Sequence, residues 1–367
     1  MRTNFDAFQR ASGKRTILLQ RKKRVQIKQG TVLMSHSLKT LAASASLCAV
    51  AAMPAHALDK VSFGTNWLAE PEHGGYYQAV ADGTYKKHGL DVTIVQGGPN
   101  AANSALLISG KIEFYMGGEM GELNAVKEGI PLVDVAAMFQ KDPQILMAHP
   151  DQGIEKFEDL AKASAIFMGK DGYLTYFEWM KANFKGFKDE QYKPYNFNPG
   201  PFIADKMSAQ QGYLTSEPFA VEKQTGWKPK VFLLADNGYS PYSTTVTVKA
   251  DLIKSNPDLI QRFVDASIEG WYNYLYGDNK AANELIKKDN PEMTDEQIAF
   301  SIGQMKEHGI LESGEALDKG IGCMTDEKYK KFFDEMVKIK LFDASMDYKK
   351  AFTTQFVCKG VGMALKK

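Results

Sequence analysis

From residue 58 onward, short apolar runs alternate with segments of helical spacing. The runs at 61–65, 92–96, 132–139 and 144–148 have the length and β-branched content of strands. Between them, 72–88 predicts one helix stopped by Gly89, and 103–109 a shorter one. A second series starts near Glu155, with strands expected at 165–169, 195–197, 211–215 and 231–235 and helices at 173–184 and 201–208. After a further strand at 242–248 the pattern turns helical. There Asn256-Pro257 supplies an N-cap and a first-turn proline, and Ile260, Phe263, Val264, Ser267, Trp271 and Leu275 share one face. Thr294 and Gln297 have capping-box spacing.

Such alternation implies an α/β fold in which helices flank open, mainly parallel sheets. The order divides into a first part of lobe 1 (58–154), a lobe 2 (155–236) and a return to lobe 1 with C-terminal helices (237–367). Two crossings between two such units make a hinged ligand cleft.

The residues before 58 change the picture. Residues 34–39 are short, polar and basic, 40–53 are apolar, and Pro54-Ala55-His56-Ala57 ends in small residues, which predicts a secretory signal at 34–57 cleaved after Ala57. Residues 1–33 are expected to be a basic extension or a misassigned start. Residues 1–57 hold ten Lys+Arg and one acid, so the remainder has 35 bases against 43 acids, a net charge of −8. An exported acidic chain without a basic stripe does not suit nucleic acid. One arginine remains, Arg262, on the amphipathic helix, which disfavours bidentate capture of a small anion. Cys323 and Cys358 can form a disulfide in an oxidising compartment or stay as two buried thiols. No metal site or cofactor is expected.

Candidate chemistry concentrates in Asn66-Trp67-Leu68-Ala69-Glu70-Pro71-Glu72-His73-Gly74-Gly75-Tyr76-Tyr77, a loop between a strand's C-terminal end and a helix. Open α/β sheets place ligands there. Its side chains suit a flat, nitrogen-rich ring, aromatics offering faces while the amide and imidazole offer edges. Plainer roles exist for each. Asn66 could cap the turn, Trp67 could pack between lobes, His73 could sit in a helix's first turn, and only one of Tyr76 and Tyr77 can face the cleft. Gly117-Gly118-Glu119 is a glycine turn able to offer N–H groups to a polar edge or anion, and Lys170-Asp171-Gly172 is its counterpart in lobe 2. Tyr242, at the return crossing, is a cleft wall or a hinge residue.

The order Asn-Trp, loop with Pro and His, helix, then Gly89-Leu90-Asp91-Val92 resembles the thiamine-pyrimidine-precursor branch of periplasmic substrate-binding proteins of ABC transporters. Further matches are 107–114, 117–119, Gln211-Gly212-Tyr213-Leu214-Thr215-Ser216-Glu217-Pro218-Phe219 and 254–263. The resemblance covers essentially all of the chain after residue 57. It implies a bilobal type-II binding-protein fold and a monomeric receptor delivering a small molecule to a permease with its ATPase. It also implies that Asn66 and Trp67 contact a pyrimidine from lobe 1, that His73 is the family's loop histidine, and that Glu217 accepts from the amino edge. Glu217 alone could equally be an N-cap acid, and Tyr213 belongs to the same matching segment. Nitrate, sulfonate, taurine or riboflavin remain alternative cargoes. The family's synthases carry a cysteine cluster in the returning region, and 236–245 has no cysteine here, so a receptor is expected rather than an enzyme.

Overall fold

The computed structural model describes residues 57–98 and 101–366. The basic extension and the expected signal lie, but for Ala57, outside the described residues. Among those described, no helix is long and apolar enough to cross a membrane.

Among the described residues, ten strands form two five-stranded sheets. The first contains β1 (Asp59–Gly64), β2 (Leu90–Val95), β3 (Phe114–Gly118), β4 (Leu132–Phe139) and β10 (Ser243–Lys249), in the order β2-β1-β3-β10-β4. The second contains β5 (Gln144–Ala148), β6 (Ile166–Met168), β7 (Tyr192–Pro194), β8 (Ala209–Tyr213) and β9 (Lys230–Leu233), in the order β7-β6-β8-β5-β9. Each sheet is mixed. β1 runs parallel to β2 and β3, whereas β10 is antiparallel to β3 and β4. Likewise β6 is parallel to β7 and β8, and β5 is antiparallel to β8 and β9. The antiparallel members, β5 and β10, are the strands entered directly from a crossing.

The first crossing lies at 140–143, ahead of β5, and not at 154 where the sequence pattern changes. An apolar run such as 144–148 shows that a strand is buried but not which sheet it joins. The helix expected over 72–88 is also divided, into a 3-10 turn at Pro71–His73 and helices at Gly74–Ala81 and Thr84–Lys87. Asp82 Oδ1 accepts from both Thr84 N and Thr84 Oγ1 (2.9 and 2.6 Å), and Gly83 takes φ +76°. This local Asx turn outcompetes the helix.

The helix Pro257–Tyr276 buries all six residues expected on its apolar face. Asn256 caps it by accepting from Leu259 N (3.2 Å). It lies close against the helix Gly74–Ala81 because glycines meet where they touch: a Cβ on Gly270 would stand 2.3 Å from Gly75 O, and one on Gly75 would stand 2.2 Å from the Trp271 ring. Arg262 is structural, its guanidinium bonding Asp59 and Asp258 at 2.7 Å each and reaching His88 O at 3.2 Å.

The C-terminal segment grips the first crossing. Gln140 N donates to Ile310 O (2.7 Å), and Gln140 Nε2 donates to Cys323 O (2.8 Å). Lys328 Nζ donates to Gln140 O and lies 4.2 Å from the centre of the Tyr242 ring on the other crossing. Cys323 is joined to Cys358 by a disulfide, the oxidised form of the two states open from sequence.

Behind the first sheet, Thr247 Oγ1 lies 3.0 Å from Glu122 Oε1 and 2.8 Å from Asp134 Oδ1. One hydroxyl carries one proton, so with both acids ionised only one contact is a hydrogen bond. Burial holds both carboxyls up, Glu122 to about 7.

Two outcomes follow for stability. Replacing Gly270 by alanine is expected to cost about 1–3 kcal/mol, read by urea denaturation, because its nearest obstacle is backbone. A carboxyl whose folded pKa is raised stabilises fully below its unfolded value and loses that contribution as pH rises through the folded one. Thermal stability should therefore fall between about pH 5 and 8, and Glu122→Gln should flatten that fall in scanning calorimetry.

Candidate functional site

The C-terminal end of β1 opens into the loop that carries Asn66 and Trp67. Thr65 Oγ1 donates to Trp67 O (2.9 Å), and Asn103 Nδ2 donates to Thr65 O (2.8 Å). Gly97 backs the turn, since a Cβ there would lie 2.4 Å from Thr65 O. The turn is thus tied by Thr65, Asn103 and Gly97, and the exposed Asn66 side chain is not needed as its cap. Trp67 stands half-buried at the lip.

The loop continues through Glu70 into the Pro71–His73 turn, whose three residues are buried. Opposite lies the end of β8 in the second lobe. A Cβ on Gly212 would come 2.9 Å from Glu217 Cβ, so glycine lets the helix Glu217–Thr225 start tight against its strand. Tyr213 N donates to Glu217 Oε2 (2.7 Å), the N-terminal role that sequence allowed for this acid. Thr215 Oγ1 donates to Glu72 Oε1, joining the lobes at the cleft floor.

Between these segments is a cavity of ≈ 270 Å³ lined by Asn66, Trp67, Glu70, Glu72, His73, Tyr213 and Glu217 among others. Phe197 of lobe 2 also lines it. Its ring centre is 5.6 Å from that of Trp67 at 34°, and it is 66% exposed with φ +56°. That is unusual backbone for a bulky residue. A second cavity of ≈ 600 Å³ shares Asn66, Met116, Gln144 and Tyr213 with the first. The two are neighbouring chambers of one cleft.

Electrostatics sharpens the picture. Burial, then the neighbouring carboxylates Glu72 and Glu217, push Glu70 well above its ordinary value. Burial lifts Glu72 to about 7 against the bond from Thr215, and Glu217 is raised by burial as well. His73 is 1% exposed, and burial drops it to about 3, so its imidazole is neutral. Its Nδ1 has no hydrogen-bond partner among the described residues.

Nine residues singled out from sequence lie outside the first chamber. Tyr76 and Tyr77 both turn away from the cleft, correcting the expectation that one faces it. Tyr76 packs 4.3 Å from Phe63 and 6.0 Å from Trp271, and Tyr77 OH donates to Asp289 Oδ2 (2.8 Å). The glycine contacts draw that helix face inward. Gly117, Gly118 and Glu119 line the second chamber, but their turn is no anion cradle: Gly118 N donates to Glu122 Oε2 (3.2 Å) and Glu119 N to Tyr242 O (3.1 Å). Glu119 Oε2 in turn accepts from Tyr242 N (2.8 Å). Tyr242 is 1% exposed, accepts from Thr325 N through its hydroxyl (3.0 Å) and borders the second chamber as a hinge residue. Lys170-Asp171-Gly172 lines neither chamber.

Sequence reasoning passed over Glu70, Glu72 and Phe197. Two acids flanking a proline at a strand's C-terminal end were a usable signal for the first two. The sequence pattern puts Phe197 at the end of a strand, yet β7 stops at Pro194 and the phenylalanine sits on the loop beyond.

Comparison with known proteins bears on family and fold. Residues 70–282, more than half of the chain, match the family model described as NMT1/THI5 like. The chain is 23% identical over 328 residues to riboflavin-binding protein RibY of Chloroflexus aurantiacus, covering 88% of this chain and 92% of that one. It is also 23% identical over 255 residues to the 4-amino-5-hydroxymethyl-2-methylpyrimidine phosphate synthase THI11 of Saccharomyces cerevisiae, covering 63% and 74%. Among solved structures it superposes on the periplasmic nitrate-binding protein NrtA of Synechocystis PCC 6803 with a TM-score of 0.58 at 13% identity, covering 82% and 87%. The fold is that of periplasmic substrate-binding components of ABC importers. By sequence match over more than half of its length, this chain belongs to the NMT1/THI5-like family.

Proposed function

We propose that this protein is the exported solute receptor of an ABC importer, that its cargo is a thiamine-related aminopyrimidine, and that it performs no catalysis. The observation that carries the reading is the pair Trp67 and Phe197, meeting from opposite lobes on a cavity that Glu70, Glu217 and His73 also line. Their ring centres are 5.6 Å apart, and a planar ring between two aromatic faces needs about 7 Å. Phe197, exposed on its loop, has room to move out by the difference. The carboxylates accept from an exocyclic amine, and the neutral imidazole can donate or accept at a second edge.

Delivery follows from closure. Contacts from both lobes make the closed form the tighter binder, which is what couples cargo to a conformation a permease can read. The absence of cysteine from 236–245 supports a receptor over a pyrimidine synthase.

A second cargo reading has its own support. The two chambers share walls, and the larger holds ≈ 600 Å³, room for a ligand longer than a single ring. A relative that matches 88% of the chain is called a riboflavin-binding protein. Under this reading a flavin would extend from the Trp67–Phe197 pair into the second chamber.

The test is thermal shift with native mass spectrometry on protein refolded to strip cargo. The panel is 4-amino-5-hydroxymethyl-2-methylpyrimidine, its formylamino analogue, thiamine, riboflavin, nitrate and taurine. Cargo at a hundred times its Kd should add about 2.7 kcal/mol. Trp67→Ala and Phe197→Ala should each weaken it about tenfold, and Glu217→Ala by about 10–100-fold. Response to riboflavin alone would select the flavin reading, and response to nitrate or taurine alone would sink both.

A further inference from the structure

We propose that Tyr213 limits the length of the cargo: its phenol ring stands as a partition between the two chambers and confines what is bound to a single ring in the smaller one. This rests on the receptor reading above and adds a size limit with the residue that imposes it.

Asn66, Met116, Gln144 and Tyr213 line both chambers and so mark the boundary between them. Three of them stay on their own side. Asn66 is exposed on its loop, Met116 is buried in β3, and Gln144 Nε2 turns along the second lobe to donate to Gly212 O (2.7 Å). The Tyr213 side chain crosses the cleft instead. It leaves the end of β8 in the second lobe and brings its hydroxyl 3.4 Å from Oγ of Ser243, where β10 of the first lobe begins. The backbone that carries the ring is fixed. Tyr213 pairs with Gln144 between β8 and β5, and its N–H donates to Glu217 Oε2 (2.7 Å). The wall therefore stands where the strand end puts it.

Size decides what this wall does. Trp67 and Phe197 line the smaller chamber and not the larger. A ring stacked with them lies in ≈ 270 Å³, just below the roughly 300–1,000 Å³ of ordinary ligand pockets. A second ring on the same ligand, to stay inside the cleft, has to pass Tyr213 to reach the ≈ 600 Å³ beyond. A pocket wall discriminates by about 10–200-fold against one surplus group. The bulk of the ring is the barrier, and the bond at its tip is not. A hydroxyl pair in a good hydrogen bond stands about 2.7–2.8 Å apart, so the 3.4 Å contact with Ser243 is weak.

Two ligands that share a ring separate length from recognition. Thiamine carries the pyrimidine of 4-amino-5-hydroxymethyl-2-methylpyrimidine and adds a second ring, and riboflavin is longer still. All three are titrated calorimetrically into the full refolded protein. The single ring should bind at least about tenfold tighter than either long ligand. Tyr213→Phe, which keeps the ring and loses the hydroxyl, should retain the length limit. Tyr213→Ala should raise the affinity for at least one long ligand by about tenfold or more. Melting curves report folding, and Tyr213→Leu, with a smaller gain, carries the test if the alanine variant does not fold. A long ligand that binds the wild-type protein as tightly as the single ring overturns the proposal and keeps the receptor. So does a folded alanine or leucine variant that gains neither long ligand, or a phenylalanine variant that gains as much as alanine. A single ring that stays silent while Tyr213→Ala gains a long ligand sinks the aminopyrimidine cargo and keeps the partition. Silence of every variant to all three ligands sinks both.

Discussion

Thr215 belongs to the second lobe, yet groups of the first lobe hold it from two sides. Its hydroxyl donates to Glu72, and its carbonyl accepts from Ser301 Oγ (2.7 Å) and Gln297 Nε2 (3.3 Å). This junction decides where the lobes meet, and so the width of the chamber above it. Gln297 shows the cost of the arrangement. Thr294 caps its helix by accepting from Gln297 N (3.1 Å), but the reciprocal half of the capping box is given up so that the glutamine side chain can cross the cleft.

The chamber is an electrostatic compromise. Carboxylates buried together are unfavourable while all are charged, which is why burial and their neighbours raise Glu70, Glu72 and Glu217. The same logic operates behind the first sheet, where Thr247 cannot satisfy Glu122 and Asp134 together when both are ionised.

Rigidity is distributed to suit this. The helix Pro257–Tyr276 is clamped to the helix Gly74–Ala81 through glycine-on-backbone contact, which secures the floor beneath the Asn66–His73 loop. The first crossing is held by Gln140 and Lys328 to a C-terminal segment stapled by its disulfide. Phe197, by contrast, stands on an exposed loop with left-handed backbone, the part of the site with most freedom to adjust.

Much of this was legible in the residues alone. Alternating apolar runs and helical spacings determined the α/β class, because burial on one face imposes its period on the chain whatever the partner. Asn256 and Thr294 announced their helices, because capping is a local bond. Asn66, Trp67, His73 and Glu217 were singled out from strand-end loops, and all four line one chamber. Tertiary structure decided the rest. Nothing local says that 144–148 joins the second sheet, since an apolar strand fits either. Tyr76 and Tyr77 look as suited to a cleft as Trp67 does, and only the close approach of two helices turns them inward. Glu70 and Glu72 read as ordinary loop acids until a second lobe, some 140 residues away in sequence, brings Thr215 and Glu217 against them. Period and capping are properties of neighbours along the chain, whereas burial and charge at a cleft arise between segments that only the fold brings together.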